Sequence, residues 1–336
     1  MDLFFNKNAR FSKWAVARGL LHARFVVVDA GVQGGEKPRW VVLGDHLHVY
    51  GFDPIQEAVD ELVRRGRPNR HYYCMALGSV DGEMDFFYNP ADPFSSSLYS
   101  TGNPAHRQRR VPIRTLDGLL ADGTIEQPDV LKMDVEGHEK HVLQGARRLL
   151  GSGLLATESE TSFGISPEYP QPHLCTLQSM LLEHGMLVAD LNHNRLPREA
   201  FQRALQKLGR PRIEDQWSTG AICTLNALFL RNLVAERDCP QNYASVPSAP
   251  TVDQLLKAMI IAELHGLNDI AVEICDRFRD QLSARLDADE AIVLLADPFC
   301  RRDLVEQALH IVKQLSWWRH TASLRAAWRN ARASNG

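Results

Sequence analysis

Several things are scarce in this sequence, and each scarcity removes a class of function. The six cysteines (Cys74, Cys175, Cys223, Cys239, Cys275 and Cys300) include no C-x-x-C pair and follow no regular spacing. That argues against a structural zinc site and a secreted disulfide framework, and favours free thiols in a reducing compartment. No stretch approaches the roughly 20 consecutive apolar residues of a membrane span. Positive charge is not in excess either. The formal net charge is −3, so no global field draws nucleic acid or an anionic membrane to the chain. The amino-terminal segment does not read as a secretory signal. Its apolar stretches are broken by Lys7, Arg10, Lys13, Arg18 and Arg24, and no small-residue cleavage site follows, so a cytoplasmic location is expected.

What is present is an ordinary globular composition. Hydrophobic residues make up 44% of 336, enough for one large domain with a sizeable core and an appendage. From residue 25 short β-rich runs alternate with amphipathic segments. "FVVVDAG" (25–31), "LHVYGFD" (47–53), "RHYYCMALG" (70–78) and "MDFFYN" (84–89) read as strands, and "PIQEAVDELVRRG" (54–66) as a helix. "DVLKMDV" (129–135) is the next strand, followed by a helix whose apolar face is Val142, Leu143, Ala146, Leu149 and Leu150. "GLLATESE" (153–160), "MLVADL" (186–191) and "TLNALFLR" (224–231) are later strands. Strands alternating with helices predict an α/β fold, a doubly wound and mostly parallel sheet. Ligands of such sheets bind beyond the carboxyl ends of the strands.

The expected domains are 1–235 around the sheet, a Pro-rich linker at 236–254, and a helical bundle at 255–336. In the last segment Trp317, Thr321, Leu324 and Trp328 form an apolar stripe at helical spacing, with Arg325, Arg329 and Arg332 as a separate basic stripe. The stripe is read as packing within the chain, with a homodimer contact as the alternative.

The first strand ends in "VVVDAGVQGG". A dinucleotide loop needs G-x-G-x-x-G, and counting from Gly31 the later glycines would fall at Gln33 and Glu36, so the fingerprint of an NAD-dependent oxidoreductase fails. Asp29 two residues before Gly31 suits a ligand bearing an ammonium group and no phosphate, such as S-adenosylmethionine. Asp53 lies 24 residues after Asp29, where a carboxylate can accept both hydrogen bonds of a ribose diol; alternatively it caps the helix that follows.

Together "VVVDAGVQGG", "YGFDP", "RTLDGLL" and "DVLKMDVEGHEKHVLQGARRLL" resemble the FkbM family of S-adenosylmethionine-dependent methyltransferases, over roughly residues 25–232. Lys132, Asp134, Glu136, Gly137, Glu139, Leu143, Gly145 and Ala146 match the family pattern K-x-D-x-E-G-x-E and the helix after it. Gln33 stands where the family commonly has Asn, Asp53 where it has Glu, and His138 where it has a small residue. The resemblance implies a class I, Rossmann-like, seven-stranded-type sheet and O-methylation of a small-molecule or carbohydrate hydroxyl. It implies a cofactor set of Asp29, Gly31, Gln33, Gly35, Asp53, Ala76, Leu77 and Asp134. An inactive binding or scaffold protein of the same fold is the rival reading.

Asp134 is the first candidate for a general base or acceptor-orienting group and Glu136 the second, since an alcohol is a poor nucleophile at neutral pH. Alternatively, Asp134 only contacts cofactor and Glu136 only caps the helix opening at Gly137. Lys132 is placed by strand alternation on the face opposite Asp134 and read as structural. Glu158 and Glu160 are read as exposed strand-end acids; with Asp134 they offer an oxygen set for a divalent metal, which is not expected. His138 is read as a satisfied structural group. Residues 89–110 are expected to be a loop, with Arg107, Arg109 and Arg110 as a solvated charge run.

Overall fold

The computed structural model describes residues 9–91, 96–100, 102, 104–163, 173–213, 220–234 and 250–300. In chain order the elements are α1 (Arg10–Ala17), β1 (Phe25–Ala30), a 3-10 helix (Pro38–His46), β2 (Leu47–Phe52), α2 (Gln56–Arg64), β3 (Arg70–Tyr73), β4 (Ala76–Leu77), β5 (Gly82–Tyr88), β6 (Arg107–Arg114) and α3 (Leu116–Ala121). They continue as β7 (Val130–Met133), α4 (Glu139–Gln144), α5 (Arg147–Gly151), β8 (Ala156–Ser162), α6 (Leu174–Leu182), β9 (Met186–Leu196), α7 (Glu199–Lys207), β10 (Ala221–Arg231), α8 (Val252–Leu264), α9 (Asn268–Arg277), α10 (Arg279–Leu282) and α11 (Ala288–Cys300).

Every residue of β1, β2 and β7 is buried, as expected of central strands covered on both faces. They sit in a seven-stranded sheet ordered β3-β2-β1-β7-β8-β10-β9. β1 pairs in parallel with β2 and β7, β7 in parallel with β8, and β10 runs antiparallel to β8. The chain leaves β1 for β2 on one side and returns to β7 on the other, so the order reverses between β1 and β7. This Rossmann-like arrangement opens a crevice where β1 and β7 end.

A second sheet, β4-β6-β5, stands apart from the first. β6 falls partly in the expected loop. Its arginines at 107, 109, 110 and 114 hide the alternation of Val111 and Ile113, which alone point into a small core with Ile55, Ala76 and Phe86. The single helix expected after β7 is two, α4 and α5. The break falls where Gly145 passes directly against the residue after β4: a Cβ there would lie 2.0 Å from the Gly78 carbonyl oxygen.

Of the helices expected to form a bundle of their own, the described ones, α8 to α11, instead share the core of the sheet. Leu255, Leu256, Met259, Ile260, Ile261 and Leu264 of α8 belong to one buried cluster with Phe25, Val27, Trp40, Val49 and Val130. α8 is apolar nearly all round, which a helix needs when it is enclosed. Polar anchors hold it. The Glu263 carboxylate accepts from the Phe11 N–H (2.8 Å), the Ser12 N–H (2.7 Å) and the Ser12 hydroxyl (2.6 Å). Residues 9–193 and 223–295 thus form one compact unit. Residues 194–222 belong to a second, where the Gln202 side chain donates to the Ile213 carbonyl and accepts from its N–H. Most of the expected linker, and the tryptophan and arginine stripes of 314–336, lie outside the described residues. Among the described residues no helix is long and apolar enough to cross a membrane.

Candidate active site

The pocket lies in the crevice where β1 and β7 end, and one side of it is the turn after β1. Gly31 donates its N–H to the Phe52 carbonyl at 2.8 Å and has φ 78°. A Cβ on Gly31 would lie 1.9 Å from the Asp134 carbonyl oxygen, so both conformation and space demand glycine. The turn that follows is tied down from outside. Arg65 donates to the Gly34 carbonyl at 2.8 Å. The buried Glu36 carboxylate accepts from Arg67 (2.9 Å), Arg70 (3.0 Å) and the Tyr72 hydroxyl (3.2 Å). Burial alone would raise the Glu36 pKa, but its backbone hydrogen bond and the two arginines hold it below the usual carboxylate range. Glu36 escaped sequence reading because Arg67, Arg70 and Tyr72 are far along the chain. Glu36→Gln should lower the thermal midpoint by roughly 2–6 °C, since a neutral amide cannot hold both guanidinium groups. An unchanged midpoint in thermal unfolding would mean that the glycines alone hold the turn.

Asp53 closes β2. Its Oδ1 accepts from the Ile55 N–H at 2.8 Å, a local turn contact one step ahead of α2, and the same side chain lines the pocket. Burial pushes its carboxyl up to about 6, opposed by the N–H groups of Ile55 and Gln33 and by Lys132 and Arg109. The N-cap of α2 is Ile55, so Asp53 braces the turn ahead of the helix and does not cap the helix itself. Gly31, Gln33, Gly35, Ala76 and Leu77 line the same pocket.

Asp29 does not. It is 3% exposed, beneath the pocket, with Lys132 Nζ 3.0 Å from its Oδ1. Burial pushes its carboxyl up to about 6, with Lys132 as the chief opposing charge. Lys132 is also not where strand alternation was taken to put it. Residues two apart on a strand share a face, so Lys132 lies with Asp134, its Nζ 3.6 Å from Asp134 Oδ2. It lines the pocket and donates to the Gly31 carbonyl at 2.8 Å.

After β7 the chain turns sharply through Glu136 (φ 51°) and Gly137 (φ 101°). Capping of this turn belongs to Glu139, not Glu136. The Glu139 carboxylate is fully buried and accepts from the N–H groups of Val135 (3.0 Å) and Gly137 (3.4 Å); burial pushes it up to about 7 despite those bonds. Glu136 lines the pocket, and its carbonyl accepts from the Ser97 hydroxyl at 2.8 Å.

Carboxylate oxygens of Asp134, Glu136 and Glu160 all lie within 4.8 Å of one another. They are a donor set of the kind hard divalent cations use, and equally a set of acceptors for the hydroxyls of a polyol. Glu158 is not among them, nor is it exposed. Arg39 lies 3.3 Å and His265 3.0 Å from its Oε1. Burial would raise its carboxyl, but these two hold it at about 2.

Of the three arginines expected to be solvated, Arg109 donates to the Pro54 carbonyl at 2.7 Å and stands over the rings of Phe86 and Tyr88. Arg110 is exposed beside Glu83 and Asp85. His138 is buried against His141, ring centroids 4.5 Å apart, and burial pushes its pKa down to about 4. Its Nδ1 has no hydrogen-bond partner among the described residues, so it is a packed ring and not a satisfied polar group.

Residues 32–161, from the turn after β1 to the end of β8, match the family described as the Methyltransferase FkbM domain. The match is shorter than the 25–232 expected from the motifs, leaving out Asp29 and Gly31 at one end and β9 and β10 at the other. The chain is similar to the hexuronic acid methyltransferase AglP of Haloferax volcanii, 29% identical over 114 residues, which are 31% of this chain and 44% of that protein. Among solved structures, the FkbM methyltransferase of Methylobacillus flagellatus KT is 18% identical with a TM-score of 0.37, covering 64% of this chain and 47% of that one. Magnesium protoporphyrin IX methyltransferase (ChlM) of Synechocystis PCC 6803, solved with bound SAH, is 12% identical with a TM-score of 0.32, covering 66% and 80%. The chain thus spans less than half the length of the first two.

Proposed function

We propose that the chain binds S-adenosylmethionine and transfers its methyl group to a hydroxyl of a small-molecule or carbohydrate acceptor. The observation that carries this reading is the lining of one pocket. Gln33, Asp53, Ala76 and Leu77 stand at the ends of β1, β2 and β4, and Asp134 and Glu136 follow β7. The charges suit this cofactor. Among the described lining residues the carboxylates are Asp53, Asp134 and Glu136, against the ammonium groups of Lys37 and Lys132. Lys132 is already engaged with Asp29 and Gly31. Such a surface favours a cationic sulfonium with a ribose diol over a pyrophosphate.

The cofactor, when bound, supplies an electrophilic methyl carbon. Asp53 would accept hydrogen bonds from the ribose hydroxyls, and the Gly31 turn would let the backbone approach the ligand. Asp134 would orient the acceptor hydroxyl and take up the proton it loses on methylation, with Glu136 and Glu160 accepting hydrogen bonds from neighbouring hydroxyls. Much of the acceleration comes from holding oxygen and methyl carbon in line.

Calorimetric titration with S-adenosylhomocysteine and with NAD separates this reading from an oxidoreductase. Methyl-labelled S-adenosylmethionine, incubated with the protein and a panel of hexoses, hexuronic acids and their glycosides, tests the transfer. S-adenosylhomocysteine should bind, NAD should not, and label should enter an alkali-stable ether. Binding of neither ligand would sink the reading. Binding without transfer to any metabolite fraction would favour an inactive binding protein.

A further inference from the structure

Lys132 carries an inference beyond the pocket's general purpose. Register places Asp29, Lys132 and Glu158 side by side across β1, β7 and β8, so their side chains rise in one row on one face of the sheet. Glu158 is already engaged with Arg39 and His265. The Lys132 side chain, 10% exposed, reaches the carboxyl edge of the sheet. There Nζ donates to the Gly31 carbonyl at 2.8 Å and lies 3.0 Å from Asp29 and 3.6 Å from Asp134. These partners come from both strand ends that form the pocket: Asp29 and Gly31 from β1, Asp134 from β7. An ammonium has three N–H groups, enough to address all three.

Neutralising Asp29 does not by itself account for this arrangement. A buried ion pair often gives no more stability than an apolar pair of the same volume, so a charge partner alone would be replaceable. The bond to the Gly31 carbonyl and the proximity to Asp134 are not. We infer that Lys132 is a positioning residue: its ammonium holds the Gly31 turn, at the donor end of the pocket, in a fixed relation to the Asp134 carboxylate at the acceptor end. The inference rests on the methyl-transfer reading above, since only a two-substrate displacement needs those two ends held in register.

The test separates positioning from charge neutralisation. Lys132→Met removes the ammonium and leaves Asp29 buried without its cation; Asp29→Asn/Lys132→Met removes both charges. Thermal unfolding and calorimetric titration with S-adenosylhomocysteine are measured on the full chain for each. The single variant should lose stability and bind at least about tenfold more weakly. The double variant should regain most of the lost thermal midpoint, yet still bind about tenfold more weakly, because the Gly31 turn has lost its donor. A double variant that binds like wild type overturns the inference and leaves Lys132 as a counter-charge only. If Lys132→Met fails to fold, the double variant decides alone. Wild-type protein that does not bind S-adenosylhomocysteine would instead overturn the methyl-transfer reading, and this inference with it.

Discussion

Asp134→Asn should lower turnover with a saturating acceptor by about 10²–10⁴-fold, the range expected when a positioned base is removed. Affinity for S-adenosylhomocysteine should change far less. The substitution keeps the side chain's shape and leaves intact the backbone carbonyl against which Gly31 packs, where a Cβ would come within 1.9 Å. What it removes is the negative charge that can accept the acceptor's proton and that faces Lys132 at 3.6 Å. Steady-state kinetics beside calorimetry on the same preparation makes the comparison. An undiminished rate at saturation would reduce Asp134 to a pocket wall. Chelator should leave the wild-type rate unchanged. Abolition that added divalent metal reverses would instead place a cation on the Asp134, Glu136 and Glu160 oxygens, which lie within 4.8 Å of one another.

Lys257→Met should destabilise the protein by about 3–5 kcal/mol, the usual cost of stripping one partner from a buried ion pair. Lys257 Nζ donates to both Asp129 oxygens, at 3.0 and 2.8 Å, and to the Arg24 carbonyl; both charged side chains are under 10% exposed. Asp129 also accepts from the Val26 N–H at 2.8 Å, so the pair joins α8 to the starts of β1 and β7. For a unit of this size the thermal midpoint should fall by roughly 10 °C. The loss should depend on pH in a defined direction. Burial raises the Asp129 pKa and Lys257 opposes the rise; without the lysine the rise is larger. A carboxyl with a raised native pKa binds its proton more readily folded than unfolded. Stability therefore increases as pH falls from the native value toward the ordinary one. The deficit of Lys257→Met should be smaller near pH 5 than near pH 8. An equal deficit at both would show that Asp129 is not left charged.

How much of this site could be read from the chain depended on how far apart its partners lie. Gly31, Gln33, Gly35 and Asp53 could be placed together because they lie on the turns after β1 and β2, whose apolar runs end visibly, and strand ends in a parallel sheet share one edge. Lys132 was misplaced for a simpler reason: it and Asp134 are two residues apart on a strand and so share a face. Glu36 carried no local signal at all, since its partners Arg67 and Arg70 are 31 and 34 residues on. Glu158 and Glu160 share a face and a residue type, and nothing in the sequence separates them. Arg39 and His265 do, by enclosing the first and leaving the second beside Asp134.

By itself, then, the sequence determined the alternation of strands and helices, the glycine turn after β1 and the carboxylates at the strand ends. Periodicity and turn chemistry act over a few residues and are written locally. Tertiary structure decided depth and company. It put α8 into the core of the sheet, buried Asp29 under Lys132, passed the capping of the Glu136–Gly137 turn to Glu139, and brought Glu160 beside the pocket-lining Asp134 and Glu136. Those outcomes rest on desolvation and on charge pairs up to 128 residues apart, as Lys257 and Asp129 are, and no local pattern encodes them.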